Sequence, residues 1–425
     1  MLRKLSMSYN SNRHSRESGN PGGDGPQRLL LDPRFRGVMI ILGERGLILS
    51  RAPKILWVFA ALLATLSVAR GGHELPVYPS YYPHEIAIET IPPERAADLL
   101  RDATLHAYLG AEPRFPSAVP VSIRRVESLG NFVIVRINPA AAEDERSACA
   151  IVDTVIRDMS DKTGFLFHPY PVTPLHGDYL YHVDRAEAEK TRLLGAPVAS
   201  MPRNPMVKAS GVLADLIRPE WLATGPDWDA AIEKVDAAEL AAGSTTSLNG
   251  WLVPPWVKSG WFHAERMLAD AIGDAEAKHR IEAMSQRLET GDYRDTVERL
   301  NLERELVTTL TGGCRKRVAG YTVKRQYFNA EFTNGVENIS FDSIEGLNSP
   351  IFIRTVKLKD FPWNGWLKLG IDVPPEAAWN PIGGFGDEFG RLLWSAIGDP
   401  ALFSAPYDSR WMLNRIADVQ SNSGR

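Results

Sequence analysis

Apolar positions along the 425 residues of this chain change their period twice. After Pro93, the residues Leu99, Leu100, Ala103 and Ala107 recur on one helical face before Gly110, which predicts a helix. Val119 to Val126 and Asn131 to Asn138 cluster β-branched residues on either side of Ser128-Leu129-Gly130, the pattern of a hairpin. Ser147 to Met159 fits either period, while Phe165 to His168 and Tyr179 to Val183 read as short strands. A helical regime follows. Trp228, Ile232 and Val235 share a face between Pro226 and Gly243, and three further helices are predicted between residues 260 and 311. Gly273-Asp274 and Gly291-Asp292 divide those three, with each Asp where an N-cap belongs. Beyond Gly313 the pattern returns to strands at Tyr321 to Val323, Ile351 to Val356 and Trp366 to Ile371, and a last helix is predicted from Phe389 to Ile397. The order predicts an α+β fold, with strand-rich segments 73–200 and 313–425 around a helical segment 205–312.

One apolar run belongs to no core. Ile55 to Val68 follows the cationic Arg51-Ala-Pro-Lys54 and ends beside the small residues Ser67 and Ala69, so residues 50–69 read as a secretory signal cleaved after Ala69. Its 14 residues fall short of the roughly 20 a bilayer span needs, and membrane attachment arises only if the signal stays uncleaved. Upstream, Arg13-His-Ser-Arg-Glu-Ser-Gly-Asn-Pro-Gly22 with Leu31-Asp-Pro-Arg-Phe-Arg-Gly37 resembles the translation of a dispersed palindromic repeat found between bacterial genes. The resemblance implies a bacterial source, a start near Met39 and a spurious, disordered segment 1–38. A genuine disordered tail has the same Gly-, Pro- and Arg-rich composition.

Export changes the charge balance. The chain carries 48 Lys and Arg against 52 Asp and Glu; removing residues 1–69 takes away ten and four, leaving 38 against 48 and a charge of −10. Nucleic acid and anionic membrane surfaces repel such a chain, which leaves a small molecule or another envelope protein as partner in the periplasm or outside the cell. The two cysteines, Cys149 and Cys314, either pair in that oxidising setting or stand as separate buried thiols.

Chemistry-bearing residues give several separate candidates. His168, His176 and His182, near Asp178 and Asp184, supply zinc or copper ligand types without a standard spacing, and Arg70-Gly-Gly-His73 offers copper ligands if the new N-terminus falls within it. His263-Ala-Glu265 lacks the cysteine half of a deaminase site and fits an amphipathic helix face. Asp387 and Glu388, after the glycine-rich Gly383-Gly-Phe-Gly386, suit a capped helix entry or an acid or base in a cleft. Trp251, Trp256, Trp363, Asn364 and Trp366 sit in Pro- or Gly-containing stretches and predict an aromatic-lined ligand cleft or interdomain packing. Nucleotide, flavin and haem fingerprints are absent from the sequence, as are the serine-hydrolase elbow and the zinc-protease helix motif. The leading expectation is an exported binding or accessory protein; the alternatives are an envelope-acting hydrolase using Asp387 or Glu388 and a copper- or zinc-handling protein using the three histidines.

Overall fold

The computed structural model describes residues 5–8, 83, 85–142, 144–195, 203–242, 254–360, 365–375, 387–397, 402–408 and 410–414. The signal segment, the Gly71 to His73 end and the residues Trp251, Trp363 and Asn364 lie outside the described residues.

Two long strands dominate a mixed sheet. In chain order the strands are β1 (Leu5–Ser8), β2 (Glu85–Thr90), β3 (Ala107–Tyr108), β4 (Ile123–Ile137), β5 (Leu166–Phe167), β6 (Val207–Lys208), β7 (Ala230–Asp236) and β8 (Lys316–Asn329). After them come β9 (Val336–Glu337), β10 (Lys357–Leu358), β11 (Trp366–Ile371), β12 (Leu402–Ser404) and β13 (Trp411–Leu413). The main sheet runs β1-β2-β11-β3-β8-β4-β7-β6, with β5 also on β8; β9 with β10 and β12 with β13 make two small antiparallel pairs. The α+β prediction therefore holds, with strands concentrated in the N- and C-terminal parts and helices in the middle. From the segment expected to lie outside the fold, Leu5–Ser8 pairs with β2 as an edge strand.

The predicted hairpin at Gly130 is instead the single strand β4, paired antiparallel with β8 from Ile123↔Asn329 to Arg136↔Lys316. Gly130 lies in a register shift between Leu129 and Phe132, and the Asn131 amide donates to Thr322 Oγ1 at 3.0 Å. A bulge adds one residue and reverses which side chains face which side. Leu129 and Phe132 consequently enter the same core although their separation is odd. Local signals also misassign two other segments. Trp228 to Val235 contributes β7, because residues 230–236 pair along β4, and only Ala237–Ala242 turns helical. Ile351 to Val356 is a helix opened by Pro350, whose consecutive Ile351, Phe352 and Ile353 are all buried, so periodicity is uninformative there.

Helices cover both faces of the β4–β8 ribbon. They are α1 (Pro93–Arg101), α2 (Glu145–Asp158), α3 (Val183–Gly195), α4 (Ala237–Ala242), α5 (Gly260–Leu268), α6 (Ala275–Thr290), α7 (Thr296–Thr311), α8 (Pro350–Thr355) and α9 (Glu388–Ile397). Asp144 settles the ambiguous Ser147 segment by accepting from the Ser147 amide at 2.7 Å, which caps α2. Asp274 caps α6 as predicted, but Gly291 ends that helix at φ 71° and Asp295 caps α7, three residues beyond the expected Asp292. Tyr179 to Tyr181 is a tight helical turn leading into α3.

The first core packs α5, α6 and α7 against Leu129, Phe132, Ile134, Val318 and Tyr321 of the ribbon. On the opposite face, Val133, Val135, Ile137 and Ala319 join Val152, Val155 and Ile156 of α2. Cys149 of α2 is bonded to Cys314, two residues before β8, across a sequence separation of 165. The bridge fastens α2 to the start of the ribbon, and chain entropy gives such a closure a stabilisation of up to ~5 kcal/mol. Reducing the bridge, or replacing Cys149 by Ser, is expected to lower unfolding stability by about 2–5 kcal/mol in urea titrations. Coincident oxidised and reduced curves would show that the bridge leaves the fold unconstrained.

Candidate functional site

The three predicted metal ligands are held apart by their own hydrogen bonds. His168 Nε2 bonds the Val172 carbonyl at 2.9 Å, and His182 Nδ1 meets Tyr170 Oη at 3.1 Å. His176 reaches across to His263 on α5, with Nε2 and Nδ1 3.0 Å apart. The Thr173 amide donates to His176 Nδ1 at 2.9 Å, and an amide can only donate. His176 must therefore carry its proton on Nε2 and give it to His263 Nδ1, so His263 is protonated on Nε2. Both nitrogens of His176 are spent, and a second proton on either ring would break the chain. Burial holds His176 down at about 3 and His263 well below the usual imidazole range. Within the described residues the only three potential ligand atoms lying together belong to Glu145, Cys149 and Cys314, whose sulfurs are joined, so His168, His176 and His182 do not gather at one point.

A second buried polar group adjoins the first. Asp178 accepts from the Gly260 amide at 3.0 Å, closing the N-terminus of α5 from outside. Gly260 must be glycine here, because a Cβ would stand 2.5 Å from Val172 Cγ1. Burial raises the Asp178 carboxyl, against the pull of His182 and the surrounding amides. Glu303 on α7 is 1% exposed and accepts from Arg299 at 2.7 Å through Oε1, while its Oε2 has no partner. Burial, then the charge of Asp178, pushes Glu303 up to about 7.

The two carboxylates proposed for acid or base work are both engaged. Asp387 accepts from the Gly390 amide at 2.8 Å and so caps α9, while Glu388 binds Lys324 Nζ at 2.5 Å and accepts from Asn348. Of the predicted aromatic cleft, Trp256 packs 5.1 Å from Phe262 and 5.9 Å from Trp261 on the first core. Trp366 stands 63% exposed on β11.

A concavity appears elsewhere, at the seam between the two largest cores. A half-open pocket of about 380 Å³ is floored by Ile156 and Leu193 from one core and Leu268 and Val318 from the other. Its rim is charged: Arg185, Glu189 and Arg192 of α3 face Lys316 and Arg317 of β8. Arg192 grips Asp153 at 2.7 and 2.9 Å and Glu189 at 2.9 and 2.8 Å; Arg317 reaches the same two carboxylates at 3.2 and 3.0 Å. This closed four-residue network fixes α3 to the ribbon and shapes one wall. Tyr170 forms part of the wall, and its hydroxyl connects to His182 behind it. Sequence inspection passed over these residues, although Arg185, Ala188, Glu189 and Arg192 have the spacing of one helix face and Arg315-Lys-Arg317 is a basic run at a strand start.

The buried groups set opposite pH limits. Histidines with depressed pKa stabilise the fold fully above about 6.5, and His176 loses that contribution as pH falls toward 3, a change of up to about 5 kcal/mol. Glu303, raised to about 7, stabilises fully below about 4.5 and loses it as pH rises through 7, at a cost of up to about 3 kcal/mol. Stability measured by urea titration should therefore peak near pH 6. Glu303→Gln should remove the decline above about pH 6, and an unchanged slope there in that variant would contradict the assignment.

No known family profile matches this chain, and no curated protein matches it in sequence. Solved structures similar to it include an ABC transporter substrate-binding protein from Sinorhizobium meliloti, 11% identical with a TM-score of 0.35, covering 63% of this chain and 60% of its own. HbpA2 from Haemophilus parasuis is 13% identical with a TM-score of 0.37, covering 66% of this chain and 59% of its own. The oligopeptide-binding protein AppA from Bacillus subtilis, in complex with a nonapeptide, is 11% identical at 0.32, covering 65% and 60%. The nickel ABC transporter structure from Bacillus halodurans is 12% identical at 0.35, covering 62% and 61%. The chain thus spans about three fifths of the length of these proteins.

Proposed function

We propose that this chain is an exported binding protein that captures a small molecule in the seam pocket. The observation carrying this reading is the pocket itself, about 380 Å³ with an apolar floor and a rim of polar groups held in place before any ligand arrives. That size and composition suit a small ligand, and a wall fixed by Arg192, Arg317, Asp153 and Glu189 needs little ordering on binding. The hydrolase alternative has Asp387 committed to a helix cap and Glu388 to Lys324, and the metal alternative has His168 bonded to the Val172 carbonyl, His176 to the Thr173 amide and His263, and His182 through Nδ1 to Tyr170. Among the described residues no helix is long and apolar enough to cross a membrane. Export rests on the signal-like Ile55 to Val68 run.

Ala188 is exposed on the pocket wall, so a larger side chain there fills the space without disturbing either core. Ala188→Trp is expected to keep the melting temperature within about 2 °C of the parent while abolishing stabilisation by a small-molecule library. Retention of every ligand-induced shift in this variant would place binding outside the seam.

A further inference from the structure

We infer that the ligand of the seam pocket is a small carboxylate with an apolar body, its anionic end seated on Arg185; this rests on the pocket being the binding site. Charge bookkeeping around the rim leads there. Arg192 and Arg317 are neutralised by Asp153 and Glu189 within their closed network. Lys316 Nζ stands 3.1 Å from both oxygens of Asp270, which is 67% exposed and screened by water. Among the described residues Arg185 makes no salt bridge, although it lines the same pocket and lies near enough to act on Tyr170 and His182. The rim therefore holds one cation in excess, on an exported chain whose overall charge is −10. A guanidinium presents paired N–H donors that match the two oxygens of a carboxylate.

The floor specifies the rest of the ligand. Ile156, Leu193, Leu268 and Val318 offer no hydrogen-bonding side chain, so a fully polar anion would leave them wet and lose the burial term. One excess positive charge beside an apolar floor fits a monoanion carrying a short hydrocarbon body. A dianion would exceed the available charge, and a cation would meet Arg185 and Lys316.

Four probes on the full exported chain separate these cases: hexanoate, its neutral isostere hexanamide, hexylammonium and inorganic phosphate, each followed by calorimetric titration. Hexanoate is expected to bind at least tenfold more tightly than the other three. Arg185→Gln should remove that preference, and Arg185→Lys should restore part of it; because Arg185 is exposed and outside both cores, neither change threatens folding. Equal or tighter binding of hexanamide, hexylammonium or phosphate, lost in Ala188→Trp, would overturn the carboxylate inference and leave the pocket reading standing. Hexanoate binding unchanged in Arg185→Gln would also overturn it. If none of the four binds, the carboxylate inference falls, while the pocket reading is decided separately by whether library ligands lose their stabilisation in Ala188→Trp.

Discussion

The antiparallel pairing of β4 with β8 is the constraint on which the rest of the structure depends. Each apolar cluster among the described residues draws on both strands. Phe132 and Tyr321 enter the first core, Val135 and Ala319 the second, Val126 and Phe328 the third, and Ile123 and Tyr327 the fourth. A ribbon buried on both sides must keep its register, because a slip of one residue would exchange the two sets of side chains. The two register shifts, near Gly130 and at Val133 to Ile134, alter this alternation locally and let Leu129 and Phe132 serve one core. The seam pocket exists because these cores meet at the start of β8 and α3 bridges them, with Ala186 in one and Leu193 in the other.

Burial decides the chemistry of the polar residues more than their type does. Three histidines beside two aspartates suggest a metal centre when read along the chain, yet the Thr173 amide fixes the tautomer of His176 and turns the pair with His263 into a neutral structural bridge. Asp178 in turn anchors the start of α5, and burial, then the charge of Asp178, raises Glu303 to about 7. Polar groups enclosed in this way specify one arrangement of the helices because each has few other partners. The same reasoning separates Arg185 from Arg192: similar residues on one helix face, one tied into a closed ion network and the other facing the pocket without a salt bridge among the described residues.

Much of the architecture was legible along the chain, and its failures have physical causes. The division between α6 and α7 followed from Asp274 and Gly291, since caps act within a few residues. Pairing of Cys149 with Cys314 stood as one of two open readings. The β7 strand and the continuous β4 were missed because partners distant in sequence override local preference. The pocket was missed for a related reason: its wall is assembled from α3, α7, the stretch after β5 and the first residues of β8, none of which carries a motif. Aromatic residues drew attention instead, and Trp256 is a packing residue of the first core while Trp366 faces solvent.

A rigid ribbon carrying a ligand pocket at its edge implies a particular distribution of motion. Hydrogen exchange measured along the chain with and without saturating hexanoate tests this most directly. The account predicts the slowest exchange in the paired amides of β4 and β8 under both conditions, with ligand-dependent slowing confined to the Tyr170 amide, α3 and the end of α7. Slowing centred on β11 around Trp366, or a ribbon that exchanges as fast as the surrounding helices, would contradict it.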